Sequence, residues 1–111
     1  VVRNLAGLST ESLVRYIGCF SEMVRKKATF KGMVQGVGFR HFVYHTCNEL
    51  SLSGFVKNCI DGSVVAEIQG ERVAVERAIE QIKSGPAHSH VESVLIEDIP
   101  TEKENGFRVS F

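Results

Sequence analysis

The sequence predicts an α+β fold in which two helices cover one face of an antiparallel sheet, and three observations predict it. Apolar residues alternate with a period of two in several short segments and recur at helical spacing in two others. These segments follow the order β-α-β-β-α-β, with an additional C-terminal strand. Asp-Gly and Gly-Pro pairs punctuate the pattern where a chain must turn or a helix must stop. That order is the one of a ferredoxin-like α/β sandwich.

Each element has its own reason. From Lys27 onward, Ala28, Phe30, Gly32 and Val34 face one way while Lys27, Thr29 and Lys31 face the other, as in a half-buried strand. A Gly-rich turn follows. The next stretch, about Phe39 to Leu50, repeats Phe39, Val43, Cys47 and Leu50 at helical spacing. Gly54 to Asn58 reads as a second strand, and Asp61-Gly62 signals a hairpin. Val64, Ala66 and Ile68 alternate along a third strand. A second helix from about Glu71 to Ser84 places Val75, Ala78, Ile79 and Ile82 on its apolar face, and Gly85-Pro86 ends it. Val91 to Ile99 reads as a fourth strand; Phe107, Val109 and Phe111 face inward from a last one. Residues 1–24 differ in pattern. Ser9 or Thr10 can cap a helix with Leu13, Ile17, Phe20 and Val24 as its stripe, although Gly18 weakens it. The expected organisation is a helical extension over 1–24 and one domain over 25–111.

Composition narrows the function classes. The 111 residues carry 13 Lys plus Arg against 13 Asp plus Glu. A general nucleic-acid or membrane-surface binder needs a basic excess, so neither partner is expected. No apolar run reaches membrane-spanning length, and Arg3, Asn4, Glu11 and Arg15 interrupt any signal-peptide core. Cys19, Cys47 and Cys59 lack CxxC spacing and read as reduced thiols of a cytoplasmic protein, expected to be a monomer. Val at position 1 is compatible with a fragment or a processed chain.

The chemistry concentrates in Gly32-Met-Val-Gln-Gly-Val-Gly-Phe-Arg40, which joins a strand to a helix. Glycines let the backbone turn tightly and approach a ligand. Successive N–H groups then face inward, and the positive end of the helix adds to them. The residues expected to bind phosphate are Gln35, Gly36, Val37, Gly38, Phe39 and Arg40, whose planar fork of donors matches phosphate oxygens. Topology brings a second residue to this turn. A right-handed crossover makes the second strand parallel to the first, so Asn58 at its end lies at the same sheet edge. On its own, Asn58 reads as turn chemistry beside Asp-Gly; its convergence with the glycine turn makes the functional reading equal to that one.

Other polar residues read more plainly. His41, His45 and Glu49 share one helix face, and His88 and His90 flank a strand start, but the cysteines do not join them and the pattern is that of solvated side chains. No metal or cofactor is expected. Cys59 has no activating base beside it. Arg25-Lys26-Lys27 and Lys31 read as a solvated strand face.

Taken together, these residues resemble the acylphosphatase family. The stretch from Gly32 to Arg40 is similar to its first signature, and Gly54-Phe-Val-Lys-Asn58-Cys-Ile-Asp-Gly62 to its second. The resemblance spans about residues 27–111. It implies metal-free hydrolysis of small-molecule acyl phosphates, such as acetyl or carbamoyl phosphate, to a carboxylate and inorganic phosphate. It further implies that Arg40 takes the phosphate-binding role and Asn58 the water-orienting role. Phe55 stands where the family commonly has Trp, and Ser51 where a helix-ending Gly is common. Two alternatives follow from other features: an accessory, non-catalytic anion-binding domain of a larger protein, and a ferredoxin-like nucleic-acid module, which the neutral charge disfavours.

Overall fold

The structure, a computed structural model, describes residues 22–36, 38–86 and 89–110. The proposed stripe residues Leu13, Ile17 and Phe20, together with Cys19, Val37, His88 and Phe111, lie outside them. The elements are β1 (Met23–Met33), α1 (Phe39–Glu49), β2 (Ser53–Asn58), β3 (Val64–Glu71), α2 (Arg72–Ser84), β4 (His90–Ile99) and β5 (Phe107–Val109). They occur in the order expected.

The five strands form one sheet in the order β4-β1-β3-β2-β5. β3 lies between β1 and β2 and runs antiparallel to both, so β1 and β2 are parallel to each other. β5 adds to the outer side of β2 in parallel. The sheet is therefore mixed, and its fifth strand departs from the purely antiparallel expectation.

Period-two burial drives the sheet onto the helices. Ala28 and Phe30 of β1, Val56 of β2, and Val64, Ala66 and Ile68 of β3 all point to one face and have no exposed surface. Against them lie Phe39, Val43 and Cys47 of α1 and Val75, Ala78, Ile79 and Ile82 of α2. Thr46 joins the buried face of α1, while Leu50 caps the helix and is only partly buried. Burial pushes the Cys47 thiol up to about 12, so this sulfur stays protonated at neutral pH. Ser51 holds the left-handed conformation that a glycine would accept without strain, at φ 58°, a cost of about 1 kcal/mol. No helix among the described residues is long and apolar enough to cross a membrane.

Of the basic cluster, Lys31 is exposed as expected, but Arg25 is not on a solvated face. β1 starts at Met23 rather than Lys27, and Val24 lies in this strand. Arg25 is 2% exposed. Its Nε and Nη2 donate to Glu67 Oε1 at 3.0 and 2.9 Å, and its Nη1 donates to Glu104 Oε1 at 2.8 Å. The cause is topological. β4 and β5 occupy opposite edges, so residues 100–106 must cross the end of the sheet. This crossover lies over Arg25 and is pinned by Gln69, which donates to Glu102 O and accepts from Glu102 N, both at 2.8 Å. Burial works to raise the Glu104 carboxyl, but hydrogen bonds from Arg25 and Arg108 outweigh it and hold the group below its usual range.

Candidate active site

The turn between β1 and α1 is built by its glycines. Gly36 and Gly38 have φ of 76° and 79°, a backbone region open to glycine at little cost. Gly38 is the N-cap of α1, and its carbonyl accepts the first helical hydrogen bond, from Phe42 N at 3.1 Å. No side chain among the described residues caps this end. The first-turn N–H groups of an α-helix have no partner within the helix, which makes such an end suited to an anion. The Phe39 ring packs edge-to-face on Phe30 at 5.4 Å and fixes the helix start to the sheet.

The fold then brings the two expected residues together. One cleft of about 140 Å³ is lined by Val34, Gly36, Gly38, Phe39, Arg40, His41 and Asn58. Arg40 is half-buried, and its Nη1 donates to Ser110 O at 3.0 Å, just beyond β5. The strand that makes the sheet mixed thus also holds the arginine. Asn58 reaches the cleft from the end of β2, where it pairs with Val64. Its Oδ1 is buried and accepts no hydrogen bond among the described residues. A buried carbonyl oxygen without a donor is costly, so this acceptor is suited to a hydrogen-bearing ligand.

Other residues fall elsewhere. The Gln35 side chain does not line the cleft; its Nε2 donates to Cys59 O and Ser63 O, both at 2.8 Å. Cys59 is a free thiol that lines a separate groove of about 330 Å³ on the open face of the sheet. That groove is the larger one, yet it contains neither Arg40 nor Asn58. Phe55 lies on the same open face, its ring 5.3 Å from the Arg108 guanidinium carbon, so the Trp-to-Phe departure does not reach the cleft. Among the described residues, no three His, Cys, Asp or Glu are grouped to hold a metal ion. His41, by its helical spacing a solvated residue, lines the cleft; its position directly after Arg40 is the signal in the sequence.

The acylphosphatase family model matches residues 26–109. An acylphosphatase of Bifidobacterium longum is 44% identical over 80 residues, 72% of this chain and 82% of that protein. One from a Roseiflexus species is 39% identical over 89 residues, covering 79% of this chain and 96% of the relative. The crystal structure of acylphosphatase from Bacillus subtilis superposes with a TM-score of 0.78 at 30% identity, over 79% of this chain and 99% of that one. The family match spans both strands that meet at the cleft and the turn between β1 and α1, and on this ground the chain belongs to the acylphosphatase family.

Proposed function

We propose that this acylphosphatase hydrolyses small acyl phosphates through Arg40 and Asn58 without a metal. The observation that carries the reading is the buried, unpartnered Asn58 Oδ1 in one cleft with Arg40 and the glycine turn. In this scheme the N–H groups of Gln35, Gly36, Val37, Gly38, Phe39 and Arg40, together with the Arg40 guanidinium, bind the phosphoryl oxygens. These donors oppose the negative charge that spreads over those oxygens in a loose transition state. Asn58 Oδ1 accepts a hydrogen bond from water and aims the water oxygen at phosphorus. An amide is not a base at neutral pH, so its work is orientation. The new bond joins water oxygen to phosphorus, and the phosphorus–acyl oxygen bond breaks. The leaving carboxylate is stable as an anion and needs no acid. Inorganic phosphate is the other product, and the water proton passes to phosphate or solvent.

The cleft size supports small substrates. About 140 Å³ accommodates a phosphoryl group, and in this scheme the acyl portion would project outward. Arg40, Asn58 and the glycine turn reach the cleft from one chain, which favours a monomer. Free Cys47 and Cys59 favour the cytoplasm. Balanced charge gives no basis for nucleic-acid binding. The catalytic domain would begin with β1 at Met23 rather than at residue 25, with the preceding residues as an extension. The accessory-domain reading is not favoured, because the chain covers 82% and 96% of two relatives that are themselves acylphosphatases.

Two results test this function. Hydrolysis of acetyl phosphate is expected to continue at full rate in EDTA, since no step calls on a metal. A loss that zinc or magnesium restores would show that a metal takes part. For Asn58→Ala, kcat is expected to fall at least about 100-fold, whereas inorganic phosphate still binds in calorimetry. Loss of phosphate binding in the folded variant would make Asn58 a binding residue.

A further inference from the structure

β1 and β2 carry the two halves of the cleft, but they are not neighbours in the sheet. β3 separates them, so the phosphate turn and Asn58 start about 10 Å apart, two strand spacings. Something must set the distance between their ends. The connection from β2 to β3, residues 59–63, lies at this edge of the sheet, directly after Asn58. It is a tight loop: Cys59 N donates to Ser63 O at 2.8 Å, and Gly62 N donates to Cys59 O at 3.2 Å. Asp61 Oδ1 accepts from Ser63 N at 3.0 Å and from Ser63 Oγ at 2.6 Å.

Gln35 leaves the phosphate turn and spans this gap. Its Nε2 meets Cys59 O and Ser63 O at 2.8 Å each, so both amide hydrogens are used. Cys59 is the residue directly after Asn58 in the chain. One side chain therefore ties the phosphate turn to the base of the loop that ends β2. We propose that the Gln35 side chain is a positioning residue, which sets the separation of Asn58 from the phosphate turn so that the water meets phosphorus in line. This rests on the water-orienting reading of Asn58. It is distinct from any contact of the Gln35 backbone N–H with phosphate, because the side chain points elsewhere.

The chemistry requires an amide at this place. Two carbonyl oxygens need two donors on one atom, and only the amide nitrogen of a side chain of this length supplies them. Glutamate has the same shape but would direct an acceptor at both carbonyls. Methionine fills similar space and supplies no donor.

The test compares Gln35→Met and Gln35→Glu, each alone and combined with Asn58→Ala. The readouts are kcat and KM for acetyl phosphate and calorimetric binding of inorganic phosphate. Gln35→Met is expected to lower kcat about 10- to 100-fold, the scale on which small misplacements act. Phosphate affinity is expected to change less than about threefold, since the turn and Arg40 remain. In the Asn58→Ala background the same change is expected to cost less than about twofold, because the group it positions is gone. A full, additive loss in that background would overturn the proposal, as would a matching loss of phosphate affinity. Gln35→Glu keeps the volume, carries the same expectations and serves where the methionine variant does not fold.

Amide hydrogen exchange reads the brace without turnover. The Cys59 and Gly62 amides should exchange at least about tenfold faster in either variant. Unchanged exchange overturns the brace. Absence of acetyl phosphate hydrolysis by the wild-type protein would instead reject the reading of the cleft.

Discussion

Replacing Arg40 with lysine is expected to lower kcat/KM on acetyl phosphate by about 1,000-fold or more, although the charge is kept. The fork geometry is the reason. Arg40 Nη1 already donates to Ser110 O at 3.0 Å, which fixes the plane of the guanidinium relative to the cleft. A guanidinium is a rigid planar fork, whose geometry matches two phosphoryl oxygens side by side. Lysine is a point donor on a flexible stem. It can reach Ser110 O or a phosphoryl oxygen, but it cannot hold the one while forking on the other. The loss should appear in kcat and in phosphate binding together, unlike that of Asn58→Ala. Steady-state kinetics beside phosphate calorimetry measures both. Activity within tenfold of wild type would remove Arg40 from the phosphate contacts.

The pairing of Arg40 with Asn58 was legible in the sequence because it depends on few rules. The strand pattern around Phe30, the helical pattern after Phe39 and the right-handed crossover place the ends of β1 and β2 at one edge. Those rules use only local periodicity and handedness. What was not legible depends on long-range placement. Arg25 sits in a run of three basic residues, and a charged run ordinarily reads as solvated. Its burial comes from the crossover at 100–106, which lies over it only because β4 and β5 occupy opposite edges. No local period carries that information. The same charged run hid the true start of β1 at Met23, since it breaks the alternation of apolar residues. The parallel pairing of β5 was hidden for a related reason: Phe107 and Val109 announce a strand but not its partner. Gln35 shows a further limit. Its place in the glycine turn marked it as a phosphate ligand, while the reach of its side chain to Cys59 and Ser63 needed the β2–β3 loop to be built first.

Gly54→Ala is expected to be the most damaging change outside the cleft. Gly54 lies in β2 at φ 136°, a conformation that L side chains rarely adopt. A Cβ there would sit 1.8 Å from Glu67 O, in the backbone of β3, and 3.3 Å from Phe107 Cε2. The first contact is with backbone and cannot be relieved by turning a side chain. Relief requires β2 to move from β3, which breaks pairing between Gly54 and Ile68. On the other side, Gly54 pairs with Phe107, and Gly54 N donates to Gly106 O at 3.1 Å. The same displacement therefore loosens β5, and with it Ser110 and the anchor of Arg40. We expect a loss of at least about 4 kcal/mol, at the severe end for one substitution. The melting temperature should fall by about 15 °C or more. Gly106→Ala is the control. Its φ of 81° is also left-handed, but a Cβ there meets nothing within 4 Å among the described residues. Only the conformational strain of about 1–2 kcal/mol applies to it. Thermal melts of the two variants separate close approach from backbone conformation. Equal losses would mean that conformation alone requires glycine at position 54 and that the contact of β2 with β3 relaxes freely.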